Sequence, residues 1–138
     1  MDLNSLYDIA ERENVKVYNW KLDDIDGMYM NYNNINAIAL NYNRLDTSIN
    51  EKCTLSEELG HYFMDAVYPA SCKDKVLISK QEYRAKKWAY SILIPLKKLK
   101  EKISQGFNLY DLAEYFNVDY KYMYDCINFY TEKYGILI

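Results

Sequence analysis

At 138 residues and 50% hydrophobic content, the chain is long and apolar enough for one domain with a small appended module, which excludes a disordered segment. Its 17 basic and 20 acidic side chains leave a formal charge of -3, which argues against bulk electrostatic attraction to nucleic acid or an anionic membrane. No apolar run approaches the roughly 18 residues of a membrane span, and the acidic, amphipathic start MDLNSLYDIAERENVK is unlike a secretory signal. Three cysteines, Cys53, Cys72 and Cys126, form no close pair, as expected of reduced thiols in a cytoplasmic protein. The 16 tyrosines are many. They suit half-buried edges and clefts, where a ring packs and a hydroxyl finds a partner, and they are equally what AT-rich coding produces.

Residues 2–13 carry Leu3, Leu6, Tyr7, Ile9 and Ala10 at helix spacing, and VKVYNW then alternates as a short strand does. GMYMNYNNINAIALNYN predicts a hairpin, two alternating runs around Asn33-Asn34, a pair that tolerates the positive φ of a tight turn. LDTSINEKCT predicts a polar connection, with Thr54 or Ser56 capping a helix that runs to about Val67. Pro69 breaks the chain after that helix. A second long helix is expected from about Lys80 to Ile94, stopped by Pro95, and a short basic one, LKKLKEKISQG, ends at Gly106. The tail predicts two helices around NVD. Helix, small antiparallel sheet, then helices is an α+β arrangement, with a first domain over 1–105 and a helical module over 106–138.

The chemistry concentrates in CTLSEELGHYF. Glu57 and His61, the only histidine, stand four apart, so on a helix their side chains are neighbours about 5–6 Å apart at Cβ and can reach one metal ion. Glu58 lies about 100° further round, where the carboxylate of a His-Glu-x-x-His helix touches water rather than metal. Leu55, Leu59, Tyr62, Phe63 and Ala66 would anchor the helix. Gly60 costs roughly 1 kcal/mol of helix propensity against alanine, so something is expected to pack closely there. A solvated helix face shows the same charged pattern. A zinc site needs a third protein ligand, and with no second histidine and the three cysteines poorly placed for it, the candidate is a carboxylate. Glu82 stands out because it shares a stripe with Ala85, Ala89 and Ile92, where a carboxylate needs a partner to offset desolvation. An exposed first-turn acid is the alternative there.

Together the hairpin leading into CTLSEELGHYF, the segment EYRAKKWAYSILIP and the helical stretch LYDLAEYFNVDYKYM resemble the ImmA/IrrE family of bacterial and phage metallopeptidases over about residues 15–135. The resemblance implies a zincin-like pair of long helices, with Glu58 as general base and His61 and Glu82 as metal ligands. Glu57 stands where the family has its first metal histidine. It implies zinc, or through the oxygen-richer donor set manganese or another divalent ion, at a site whose extra carboxylate weakens its Lewis acidity. Asp65, one turn after His61, is a candidate to orient the imidazole, and Tyr62, Tyr68 and Tyr83 are candidate oxyanion donors. The implied partner is a protein substrate, a helix-turn-helix repressor of a phage or mobile element. The rival is a binding protein that kept the fold and lost the metal.

LYDLAEYFNVDYKYMYDCI also has helix-turn-helix spacing, which leaves a DNA-binding regulator as a third class. Its second helix carries Asp119, Lys121, Asp125, Glu132 and Lys133 without arginine, which disfavours nucleic acid as a partner.

Overall fold

The computed structural model describes residues 1–21, 23–135 and 137. The chain divides into two compact units, Met1–Ala89 and Tyr90–Ile138, with the dividing point inside a helix.

In the first unit, α1 (Leu3–Arg12) is capped by Asp2, whose carboxylate accepts from the Ser5 N–H, and buries Leu6, Ile9 and Ala10 along one stripe. Three strands come next: β1 (Lys16–Asn19), β2 (Gly27–Tyr32) and β3 (Ile35–Leu40). Asn33 and Asn34 join β2 to β3 with φ of 49° and 64°, the left-handed pair that a two-residue hairpin requires. The class is α+β as expected, but the sheet is mixed. Its order is β1-β3-β2, with β2 antiparallel and β1 parallel to β3. After β1 the chain crosses to the far side of the sheet before the hairpin begins, so β3 returns beside β1 in the same direction.

Helix α2 (Ser48–Phe63) begins well before the expected Thr54 or Ser56, with Thr47 as its cap. Tertiary contacts secure that extra length: the Tyr7 hydroxyl of α1 donates to Glu51 in the first turn of α2 and lies 2.6 Å from the Tyr42 hydroxyl. The helix stops at Phe63, short of Val67, and Asp65 takes a left-handed φ of 47°. Helix α3 (Lys75–Leu93) also begins earlier than the expected Lys80, because Asp74 accepts from the N–H groups of Val76 and Leu77 at 3.0 and 3.2 Å. Where α2 meets α3, a Cβ on Gly60 would stand 2.2 Å from the Ala85 carbonyl oxygen. This is the close packing that a mid-helix glycine implied. Leu55, Leu59, Ala85 and Ala89 are fully buried.

The second unit contains α4 (Leu96–Ser104), α5 (Leu109–Phe116) and α6 (Tyr120–Tyr134). Asn108 and Asp111 form a reciprocal capping box on α5, and Asn117 turns the chain with φ 54° into α6, which Asp119 caps. Tyr90 packs edge-on against Tyr122 and Phe129, and the Tyr130 hydroxyl donates to the Ile94 carbonyl at 2.8 Å. On α6, Lys121 is paired with Asp125 at 2.9 Å. Cys53, Cys72 and Cys126 are not joined in disulfides. Among the described residues no helix is long and apolar enough to cross a membrane.

Candidate active site

The site lies within the first unit, where β2, α2 and α3 meet. Gly27 opens β2 directly on α2: a Cβ there would fall 2.9 Å from Thr54 Cγ2 and 3.2 Å from Glu58 Cγ. A glycine lets the strand settle onto the helix at Glu58. The Asn41 N–H donates to the Asp26 carbonyl at 2.8 Å, which sets the hydrogen-bond parity of the hairpin. Residues 26, 28 and 30 thereby turn their backbone groups to β3, and residues 27, 29 and 31 turn theirs to the free edge. One of these outward groups, the Tyr29 N–H, bonds the Glu58 carboxylate. The Tyr29 ring is held by its hydroxyl, which donates to Asn36 at 2.6 Å, and by edge-on contact with Tyr62.

Along this edge runs a cleft of about 810 Å³. Ile25, Met28 and Met30 line it on the strand side, Val67, Tyr68 and Pro69 on the side of the loop after α2, and Glu58, His61 and Glu82 lie between. His61 is buried. Its Nδ1 lies 2.6 Å from the Ala66 carbonyl, which can only accept, so Nδ1 carries a hydrogen and Nε2 is the atom offered to the cleft. Nε2 lies 3.2 Å from Glu82 Oε2, and the other oxygen, Oε1, accepts from the Tyr68 hydroxyl at 2.7 Å. The Tyr68 ring also stands edge-on to the imidazole, with centroids 6.5 Å apart.

These contacts move the titration of every member. Burial pushes the Glu58 carboxyl up to about 7, with the charges of Glu57 and Glu82 adding and those of His61 and the Tyr29 N–H opposing. Burial works to lower His61, but the Glu82 hydrogen bond, the Ala66 carbonyl and the nearby carboxylates outweigh it and raise it to about 9. Glu82 is held below the usual carboxylate range, first by the His61 hydrogen bond and also by Tyr68, against its own desolvation. The two partners of this ion pair thus shift in the directions that favour it. A carboxyl poised near neutrality beside a charged imidazole–carboxylate pair can accept and return a proton at physiological pH.

The sequence-derived candidates separate on this geometry. Glu58, His61 and Glu82 come together in the cleft. Glu57, on the same helix, is not among the cleft-lining residues, although its charge is felt at Glu58. Asp65 also lines the cleft but is not the partner of His61 Nδ1. The helix has ended before it, and the Ala66 carbonyl receives the Nδ1 hydrogen in its place. Of the three tyrosines, only Tyr68 lines the cleft; the Tyr62 hydroxyl donates to Glu13 at 3.1 Å. The Ala66 carbonyl and Tyr29 N–H were not legible in advance, because a backbone group has no signature in the sequence.

For a divalent cation, His61 and Glu82 fit as donors. The imidazole is locked with Nε2 inward, and a charged carboxylate oxygen faces the same point. The set is short by one: among the described residues no three His, Cys, Asp or Glu side chains are gathered to hold a metal, whereas ordinary zinc sites use at least three protein ligands.

A family model, Peptidase_M78, described as the IrrE N-terminal-like domain, matches residues 10–124. No curated protein and no solved structure matches the chain.

Proposed function

The chain belongs to the Peptidase_M78 family of IrrE N-terminal-like domains, and from that premise we propose that it is a metal-dependent endopeptidase acting on a protein substrate, a helix-turn-helix repressor of a phage or mobile element. The observation that carries the reading is Glu58, a carboxyl with a raised pKa in the floor of an open cleft, beside His61 and Glu82 and under a free strand edge. Residues 27 and 31 present outward N–H and C=O groups and Tyr29 an outward C=O, its N–H being engaged by Glu58, so an extended peptide can pair along the edge of β2 beside Glu58.

His61 and Glu82 would hold the ion, zinc or a harder divalent metal, with Glu57 supplying negative charge nearby. When bound there, such an ion polarises a peptide carbonyl and acidifies water. The protein's own groups do the rest. The Ala66 carbonyl keeps Nδ1 of His61 protonated, so Nε2 faces inward. Glu58 takes the proton of the attacking water on a carboxylate oxygen and returns it to the departing amine. The Tyr29 N–H steadies that carboxylate between the two transfers.

The test is incubation of the purified chain with the helix-turn-helix protein encoded beside it, with zinc or manganese and with a chelator. Cleavage by the wild type with metal, and none by Glu58→Gln, is the expected result. Cleavage that survives Glu58→Gln would overturn the mechanism. The two-donor count favours a second reading, a fold that binds the same partner without cutting it. That reading predicts complex formation with every ion tried and no product.

A further inference from the structure

Tyr68 lies in the loop between α2 and α3 and touches both side chains on which the site depends. Its hydroxyl donates to Oε1 of Glu82 at 2.7 Å, and its ring stands edge-on to His61. Oε1 is thereby engaged, and Oε2 is the oxygen that faces Nε2 of His61 at 3.2 Å. The loop is itself anchored to α3, since the Arg84 guanidinium donates to the Met64 carbonyl.

We propose that Tyr68 is a positioning residue that reserves one oxygen of Glu82, Oε2, for the cleft and sets its distance from His61. An ionised carboxylate has two equivalent oxygens, and a free one in a cleft rotates about its terminal torsion to present either or both. A half-buried O–H directed at Oε1 restricts that freedom, as outer partners do around metal ligands. The ligand served is a small hard electrophile shared by one imidazole nitrogen and one carboxylate oxygen, a proton in the resting protein and a divalent cation in the loaded one. The role toward the cation rests on the metal-dependent reading above; the role toward the proton does not.

The experiment compares the wild type with Tyr68→Phe, which keeps the ring and removes the hydroxyl, and with Tyr62→Phe, a control outside the cleft. Circular dichroism and melting establish that each variant folds. Because His61 is the only histidine, its ring ¹H and ¹⁵N resonances need no assignment. In metal-free protein at one fixed pH, Tyr68→Phe is expected to shift them and Tyr62→Phe to leave them in place. Zinc affinity, read by competition with a chromophoric chelator, is expected to fall about 10–100-fold in Tyr68→Phe alone. His61 resonances unchanged in folded Tyr68→Phe would overturn the proposal, whatever the zinc result. A wild type that takes up no zinc or manganese would overturn the metal reading, and the resonances would still decide the role of Tyr68.

Discussion

Nε2 of His61 and Oε2 of Glu82, contributed by different helices, lie 3.2 Å apart and face the same cleft. Neither α2 nor α3 could arrange this alone. It depends on Gly60, where the two helices approach so closely that one extra carbon would overlap the Ala85 carbonyl.

Gly60→Ala is accordingly expected to destabilise the protein. Alanine gains roughly 1 kcal/mol of helix propensity, but overpacking against backbone typically costs about 1–3 kcal/mol, and a neighbour 2.2 Å away places this site at the upper end. Urea denaturation reads the difference. A variant as stable as the wild type would show that the helices can separate without penalty.

Glu58→Gln is expected to lower peptide hydrolysis by about 10²–10⁴-fold, the usual contribution of a positioned acid–base group. Binding of the protein substrate should persist, because the free edge of β2 is untouched. Equilibrium binding and single-turnover cleavage separate the two effects. Loss of both together would make Glu58 a structural residue.

Metal uptake should depend unequally on the carboxylates of Glu82 and Glu57. Glu82→Gln is expected to weaken it by more than about a hundredfold, beyond the loss typical of outer partners. Glu57→Gln, altering a residue outside the cleft lining, should weaken it far less. With His61 raised to about 9, the ion must displace the Nε2 proton at pH 7, so calorimetry in two buffers of different protonation enthalpy should show about one proton released per ion. Equal losses in the two glutamate variants would place Glu57 among the ligands.

In the metal-free protein, stability should fall as pH rises from about 5 to 9. Glu58 has a folded pKa of about 7 against an ordinary 4.5, so between those values the folded state binds more protons and loses stability as they leave. His61, about 9 against 6.5, acts in the same direction over the next window. Glu82, held low by His61, acts oppositely and only in acid, below the ordinary carboxylate range. Thermal melts across this range check the slope, and Glu58→Gln should flatten its lower half. A flat profile in the wild type would mean that neither group is perturbed as described.

The sequence by itself determined a good deal. Alternation and an Asn-Asn turn specified the β2–β3 hairpin, because only positive φ at both positions closes so short a loop. Spacing placed Glu58 and His61 on one helix, and the stripe of Ala85 and Ala89 marked Glu82 as facing inward. A glycine amid good helix formers announced the crossing at Gly60. Helix starts were not legible, since α2 gains its first turns from a Tyr7–Glu51 bond between residues far apart in the chain.

Only the tertiary structure decided how the site is closed. The parallel pairing of β1, the Ala66 carbonyl on His61, the Tyr29 N–H on Glu58 and the Tyr68 hydroxyl on Glu82 all depend on where loops and backbone atoms come to rest. Periodicity records which face of an element is apolar. It carries no information about which buried carbonyl or hydroxyl meets a polar side chain once those faces have packed, and the chemistry of this cleft resides in those contacts.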